Sequence, residues 1–328
     1  MAGAVADRTW RDSTPDQLEA DLAALWRELG HGEVRIARAV MSNLIVVRAP
    51  DKNRSALTDV AGGLPLDDVT ARHPSRTIVL EHCDQKAAGA PFEAGVGIVT
   101  FGPPAARYGV ERIVVRSACP DGSLLSILRR LVRGDLPTSV WWTEDLSGRV
   151  PFEPLLTVGR QLVYDSSQWR DVPRGLAAIL PLAISRRVDL ADLNWRRLAP
   201  LRRALVHARG AVKGDAWRSA AIEITHLRDE EAIASLLAGW FRSERPGDPP
   251  RITIELSRGD NPDTILKVTV ADLTATLTTR AAEVVTASAP RLVVAVPQES
   301  RGDAIAAELR SLSPDVALLD AIRAFQTA

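Results

Sequence analysis

Hydrophobic positions recur at two spacings along this chain, and the spacing changes where the fold changes. Leu18, Leu22, Leu25, Trp26 and Leu29 repeat at helical intervals, behind Thr14, Pro15 and Gln17 as a start signal and ahead of Gly30 as a stop. Strands are expected at 33–40 and 44–47, with Asn43 making a tight hairpin turn between them. Gly62, Gly63 and Pro65 split the stretch 53–72 into a helix, a loop and a second short helix. Residues 76–81, 92–101 and 111–117 read as strands. The turn Asp121-Gly122-Ser123 then leads into an amphipathic helix over 124–133 and a returning strand over 139–142. Strand, helix and returning strand make a βαβ unit, so the N-terminal half is a mixed-sheet, three-layer α/β domain.

A short strand at 161–165 and a helix at 172–188, kinked at Pro181, follow. The next stretch, 190–209, is basic and amphipathic, with a break at Pro200. Beyond it the period shifts to two. Ile252, Ile254 and Leu256 alternate with Thr253, Glu255 and Ser257, and the alternation repeats through Leu266, Val268 and Val270 and through Leu273, Ala275 and Leu277. Such alternation predicts an antiparallel sheet with one wet face. With strands at 220–225 and 291–296 and helices at 228–241, 303–312 and 315–325, the C-terminal part is an α+β domain. The expected division is 1–168 and 169–328.

Composition narrows the function classes. The 328 residues are 46% hydrophobic and 25% charged, with a formal net charge of zero. That suits a globular protein and gives no global field toward nucleic acid or an anionic membrane. No apolar run approaches the roughly 20 residues that cross a bilayer, and no leader pattern stands at the N-terminus, so a cytoplasmic protein is expected. Gly95-Val96-Gly97 begins a dinucleotide fingerprint, but position 100 is Thr and no helix follows. There is no nucleophile elbow, and none of the five histidines has metal-ligand spacing. No catalytic residue, metal or cofactor is expected. The two cysteines, Cys83 and Cys119, form no framework and are the only candidates for redox chemistry.

The segment 137–172 stands out. Three of the eight tryptophans, Trp141, Trp142 and Trp169, fall in it, although aromatic residues make up only 5% of the chain. Trp142, Glu144, Asp145, Tyr164, Asp165, Ser167, Trp169 and Arg170 combine aromatic bodies, polar tips and charges, as protein-binding surfaces do. In a strand, Trp141 and Trp142 point to opposite faces, which leaves one free to be core and the other exposed. Between Arg186 and Arg209 lie seven arginines against two aspartates, with Trp195 among them. Arg196, Arg197, Arg202 and Arg203 are the second candidate surface. This stretch reads as a solvated helix face, as docking onto an acidic partner, or as a nucleic-acid adaptor; neutral charge and the lack of a nucleic-acid motif favour the first two.

The run PTSVWW, followed by LLTVGRQLVYDSSQW, resembles the OpcA-type glucose-6-phosphate dehydrogenase assembly proteins of bacteria. HPSRTIVL (73–80) and DLNWRRLAPLRRAL (192–205) are similar to the same family. The resemblance runs from about Pro15 to the C-terminus and is densest between Arg72 and His207. It implies a non-catalytic factor of the oxidative pentose phosphate pathway that binds glucose-6-phosphate dehydrogenase and promotes its active oligomer. It supplies no contact residues; those above come from residue type and position. The residues alone leave open a small-molecule-binding or enzymatic α/β protein with a cleft near the end of the Trp142 strand.

Overall fold

The structure, a computed structural model, describes residues 3–31, 35–49, 63–82, 92–103, 105–117, 121–151, 153–210, 219–245, 247–257, 263–287 and 289–327. Cys83 and Cys119 lie outside the described residues, as do 53–62 of the expected helix. Two sheets organise the described chain. The larger comprises β1 (Gly3–Asp12), β2 (Ile36–Arg38), β3 (Ser42–Arg48), β4 (Ser75–His82), β5 (Phe92–Phe101), β6 (Arg107–Ser117), β7 (Thr138–Trp142), β8 (Gln161–Tyr164) and β9 (Asp189–Asp192). Its order is β1-β5-β6-β4-β3-β7-β8-β9, with β2 paired to β6.

The strands β6, β4, β3, β7, β8 and β9 run parallel. Within this parallel set the chain starts at β3, builds outward through β4 to β6, then returns to the other side of β3 for β7, β8 and β9. Between β3 and β7 the direction of winding reverses; at such points open α/β sheets form crevices at the carboxyl ends of their strands.

The expected hairpin between the first two predicted strands does not form. β3 pairs in parallel with β4 and β7, while β2 pairs with β6. Asn43 makes no turn. It is buried near the start of β3, where its amide donates to the Arg133 carbonyl (2.9 Å) and Thr138 Oγ1 (3.0 Å) and accepts from the Arg133 N–H (2.8 Å). A buried amide with its hydrogen bonds satisfied by a distant segment can fix a strand start as well as a turn.

Helices cover both faces. The helix α1 (Pro15–Gly30) is capped as expected, the Thr14 hydroxyl accepting from the Gln17 N–H at 3.3 Å. With α3 (Asp121–Leu131), α4 (Glu153–Val158) and α5 (Val172–Ser185) it contributes to the main hydrophobic core on one face. On the other face Leu44, Val46, Val79, Val114, Trp141 and Val163 pack with Leu66 and Val69 of α2 (Leu66–Arg72) and with Ile305 and Leu309. These last two belong to α8 (Arg301–Arg310), so a helix from near the C-terminus closes the N-terminal sandwich.

The helix α6 (Leu193–Arg209) runs unbroken through Pro200, against the expected break. Proline at mid-helix forfeits one backbone hydrogen bond; here it is among the buried residues of a helix that continues on both sides of it. The second sheet has the order β11-β10-β12-β13-β14-β15, from β10 (Ile222–His226), β11 (Ile252–Leu256), β12 (Thr264–Val270), β13 (Leu273–Thr278), β14 (Ala281–Val285) and β15 (Leu292–Ala295). It is antiparallel apart from β10 and β11, which run parallel. Its inner face packs on α6 and on α7 (Glu231–Ser243), and α9 (Val316–Arg323) packs against α7. The large sheet continues past residue 168 to take in β9, so α6 is the element that passes from one sheet to the other.

Candidate functional site

The tryptophan-rich segment starts where the sequence places it, at the carboxyl end of β7, but its rings turn inward. Trp141 and Trp142 do point to opposite faces, yet the sheet is covered on both, and each is at most 1% exposed. Tyr164 is fully buried in β8, and Trp169 is 8% exposed. The two rings stack with centroids 6.0 Å apart and planes 3° from parallel. The other side of Trp169 lies on α5, where a Cβ added to Gly175 would stand 2.3 Å from the indole. The expectation of exposed contact rings at Trp142, Tyr164 and Trp169 is therefore corrected. Alternation cannot leave one tryptophan wet when helices from distant parts of the sequence cover both sides.

What remains accessible is the polar part of the segment. Asp145 ties its two loops together: it accepts from the Ser147 N–H (2.8 Å) and hydroxyl (2.7 Å) and from the Arg170 N–H (3.2 Å). Burial pushes its carboxyl upward, but these hydrogen bonds and the Arg170 charge outweigh that and hold it below its ordinary value. Glu144 is half-buried beside Arg149 at 3.4 Å, and the Arg149 guanidinium sits 5.9 Å from the Trp142 ring centre. Ser167 and Arg170 are exposed. Asp165 follows β8 and accepts from the Ser167 N–H (3.2 Å) and hydroxyl (2.5 Å), which shapes the 3₁₀ turn Ser166–Gln168.

Beneath this turn is a buried acid. Asp192 ends β9 in register with Tyr164 and caps α6, accepting from the N–H groups of Ser166 (3.0 Å) and Asn194 (2.9 Å). Burial drives its carboxyl up to about 7; the Ser166 hydrogen bonds oppose the rise, the Asp165 charge adds to it and the Asn194 bond opposes it. Burial, with the Asp192 charge adding, also pushes the Tyr164 phenol well above its usual value.

The arginine stretch divides. Arg196 holds Glu299 with two bonds of 2.7 Å and Glu308 with one of 3.1 Å. Arg197 holds Glu230 at 2.7 and 3.0 Å and the Asn194 side chain at 2.9 Å. Arg202 stacks 3.7 Å from the centre of the Trp195 ring, and burial pushes its guanidinium down to about 10, against the pull of Asp315. Trp195 is 3% exposed and donates its indole N–H to Asp315 at 2.8 Å, so it offers no face to a base. Arg203 is exposed.

The two candidate surfaces, separate in sequence, meet in one cleft of about 390 Å³. Asp165 and Ser167 line one end; Leu193, Arg196, Arg197, Pro200 and Arg203 form a wall from α6; Val296, Pro297, Glu299, Ser300, Arg301 and Ala304 form the opposite wall. The cleft opens at the carboxyl ends of β8 and β9, two strands from the point where the winding reverses. Its second wall was missed by sequence reasoning. The only readable sign was Ser300 with Asp303, a capping box that the structure shows in full. Among the described residues, no group of three His, Cys, Asp or Glu is placed to hold a metal, and no helix is long and apolar enough to cross a membrane.

Comparison with known proteins adds the following. Residues 66–180 match the family model described as the glucose-6-phosphate dehydrogenase subunit N-terminal domain, and residues 188–322 match the corresponding C-terminal domain. A Nostoc punctiforme protein described as an OxPP cycle protein OpcA is 29% identical over 138 residues, which are 40% of this chain and 28% of that protein. The chain thus spans well under two thirds of that relative. Among solved structures, UDP-N-acetylglucosamine 3-dehydrogenase from Acidithiobacillus ferrooxidans is 13% identical over 88% of this chain and 97% of that one, with a TM-score of 0.42. A 3-ketoreductase from Actinomadura kijaniata is 11% identical over 87% and 94%, also at 0.42. Likeness at that level transfers no site and no activity.

Proposed function

Because the chain belongs to the OpcA-type glucose-6-phosphate dehydrogenase assembly protein family, we propose that it works without chemistry of its own, binding glucose-6-phosphate dehydrogenase and favouring its active oligomeric form. The observation that carries this reading is the pair of dehydrogenase-subunit family matches, in order, over 66–180 and 188–322. The mechanism is linkage: a protein that binds the active oligomer better than the inactive form draws the population toward it. A tenfold preference corresponds to about 1.4 kcal/mol, within reach of a few well-made contacts.

The docking surface is the polar rim above the buried rings. Glu144, Asp145, Asp165, Ser167 and Arg170 form it together with the arginine wall of Arg196, Arg197 and Arg203. Trp142, Tyr164 and Trp169 serve it from below by holding the two loops rigid, and a rigid surface loses little entropy on binding. Mixing the two purified proteins tests the reading. The dehydrogenase should shift to a larger species by light scattering and gain activity at limiting substrate. Unchanged size and unchanged kinetics would end the proposal. A second reading, a small-molecule site, is favoured by the cleft itself, which gathers charged groups above an apolar floor.

A further inference from the structure

The four arginines that line the cleft are not equivalent. Arg196 and Arg197 are saturated by Glu299, Glu308 and Glu230. Arg203 has no ion-pair or hydrogen-bond partner among the described residues, and Arg301 lies 3.6 Å from Asp165 and, with the Gln168 amide turned to satisfy both its ends, donates to that amide's oxygen, neutral company that leaves its charge without a close carboxylate. Only Asp165 and Glu299 among the lining residues carry negative charge, and Glu299 is committed to Arg196. Between the arginines lie Leu193, Pro200, Val296, Pro297 and Ala304. Ion pairs that merely solvate a helix face do not enclose an apolar floor; a volume of about 390 Å³ with apolar walls and a few convergent charges is what small-molecule sites have.

We propose that this cleft binds a small phosphate ester, its oxyanion held between Arg203 and Arg301 and its body lying on the apolar floor. Guanidinium forks match phosphate oxygens two at a time, and two of them from separate elements suit a dianion. The Ser167 hydroxyl and the Asp165 carboxylate stand at one end, where they can bond hydroxyl groups of the ligand. Binding has a built-in consequence. An oxyanion on Arg301 competes with Asp165 for that guanidinium, and Asp165 shapes the turn that carries Trp169 and Arg170. Ligand occupancy is thereby felt in the docking rim. This coupling rests on the docking reading above; the site itself does not.

The full chain alone suffices for the test. It is titrated by calorimetry at constant ionic strength with inorganic phosphate, with a hexose 6-phosphate and with the unphosphorylated hexose. The ester should bind saturably with one site per chain and more tightly than inorganic phosphate, and the free hexose should not bind. Arg203→Glu and Arg301→Gln should each weaken the ester about tenfold or more, while circular dichroism and the thermal midpoint show the fold intact. No saturable binding of either phosphate probe up to about 10 mM, or wild-type affinity in both variants, overturns the proposal. Ester binding without any effect on the dehydrogenase would keep the site and remove only the coupling.

Discussion

The tryptophan segment and the arginine helix exchange roles between sequence and structure. By residue type the first is the binding surface and the second a solvated face. In the fold, the rings of 141–169 are core, and three of the α6 arginines, Arg196, Arg197 and Arg203, line a cleft in which both candidate surfaces meet. The difference lies in what covers each element. Strands β7 and β8 sit inside a sheet sandwiched on both faces, so even indoles are swallowed whole. The helix α6 buries Leu198, Leu201 and Leu205 and turns its arginines to the cleft, where Arg203 is exposed and Arg196 and Arg197 meet carboxylates of other elements. Aromatic content marks a surface only when the element carrying it has a free face.

That contrast can be broken most sharply at Trp142. If the ring is core, Trp142→Ala should destabilise the chain by about 3–5 kcal/mol in urea unfolding. A loss below about 1 kcal/mol would return the ring to the surface. Next in size is the pH response of Asp192. An aspartate in the unfolded chain titrates near 4, whereas in the fold Asp192 is raised to about 7. Between those values the folded chain keeps a proton that the unfolded chain has released. This contribution to stability is therefore full below about pH 4 and is lost as pH rises through 7, on the order of a few kcal/mol. Asp192→Asn should flatten that part of the profile; an identical slope in both proteins would show that the acid titrates normally.

A smaller effect is expected where Trp169 rests on α5. Gly175→Ala should cost about 1–3 kcal/mol, because a methyl group there displaces the indole. A lowered midpoint in urea would show it, and an unchanged one would mean the ring is free to lift. Smallest of all, Ser167→Ala and Arg170→Ala should shift stability by no more than about 0.5 kcal/mol yet reduce activation of the dehydrogenase. Full activation by the double variant would move the docking surface elsewhere.

Local signals were readable wherever one residue's neighbours in sequence are also its neighbours in space. The cap at Thr14 and the alternation in the paired strands β12 and β13 both belong to that kind. The errors are of the opposite kind. Asn43 looked like a turn because its partners, at 133–138, lie about ninety residues away. Pro200 looked like a break because its own chemistry argues for one, whereas the helix runs on through it as a buried residue. Strands β9 and β14 are short, and no periodicity in their own residues distinguished them. Of the site, Asp165, Ser167 and the α6 arginines were legible by chemistry. Glu299 and Arg301 were not, since only the path of the chain from β15 into α8 brings them across from α6.

That same path carries an implication for biosynthesis. The face of the large sheet bearing Val46, Val79, Val114 and Trp141 is sealed in part by Ile305 and Leu309. A nascent polypeptide halted before residue 301 would hold its first sheet with that flank bare, a sticky platform of β-branched side chains and one indole. Translation must deliver some three hundred residues before the earliest-made layer is sealed. Chaperone dependence during synthesis, and insolubility of fragments that stop short of that helix, are the natural corollaries.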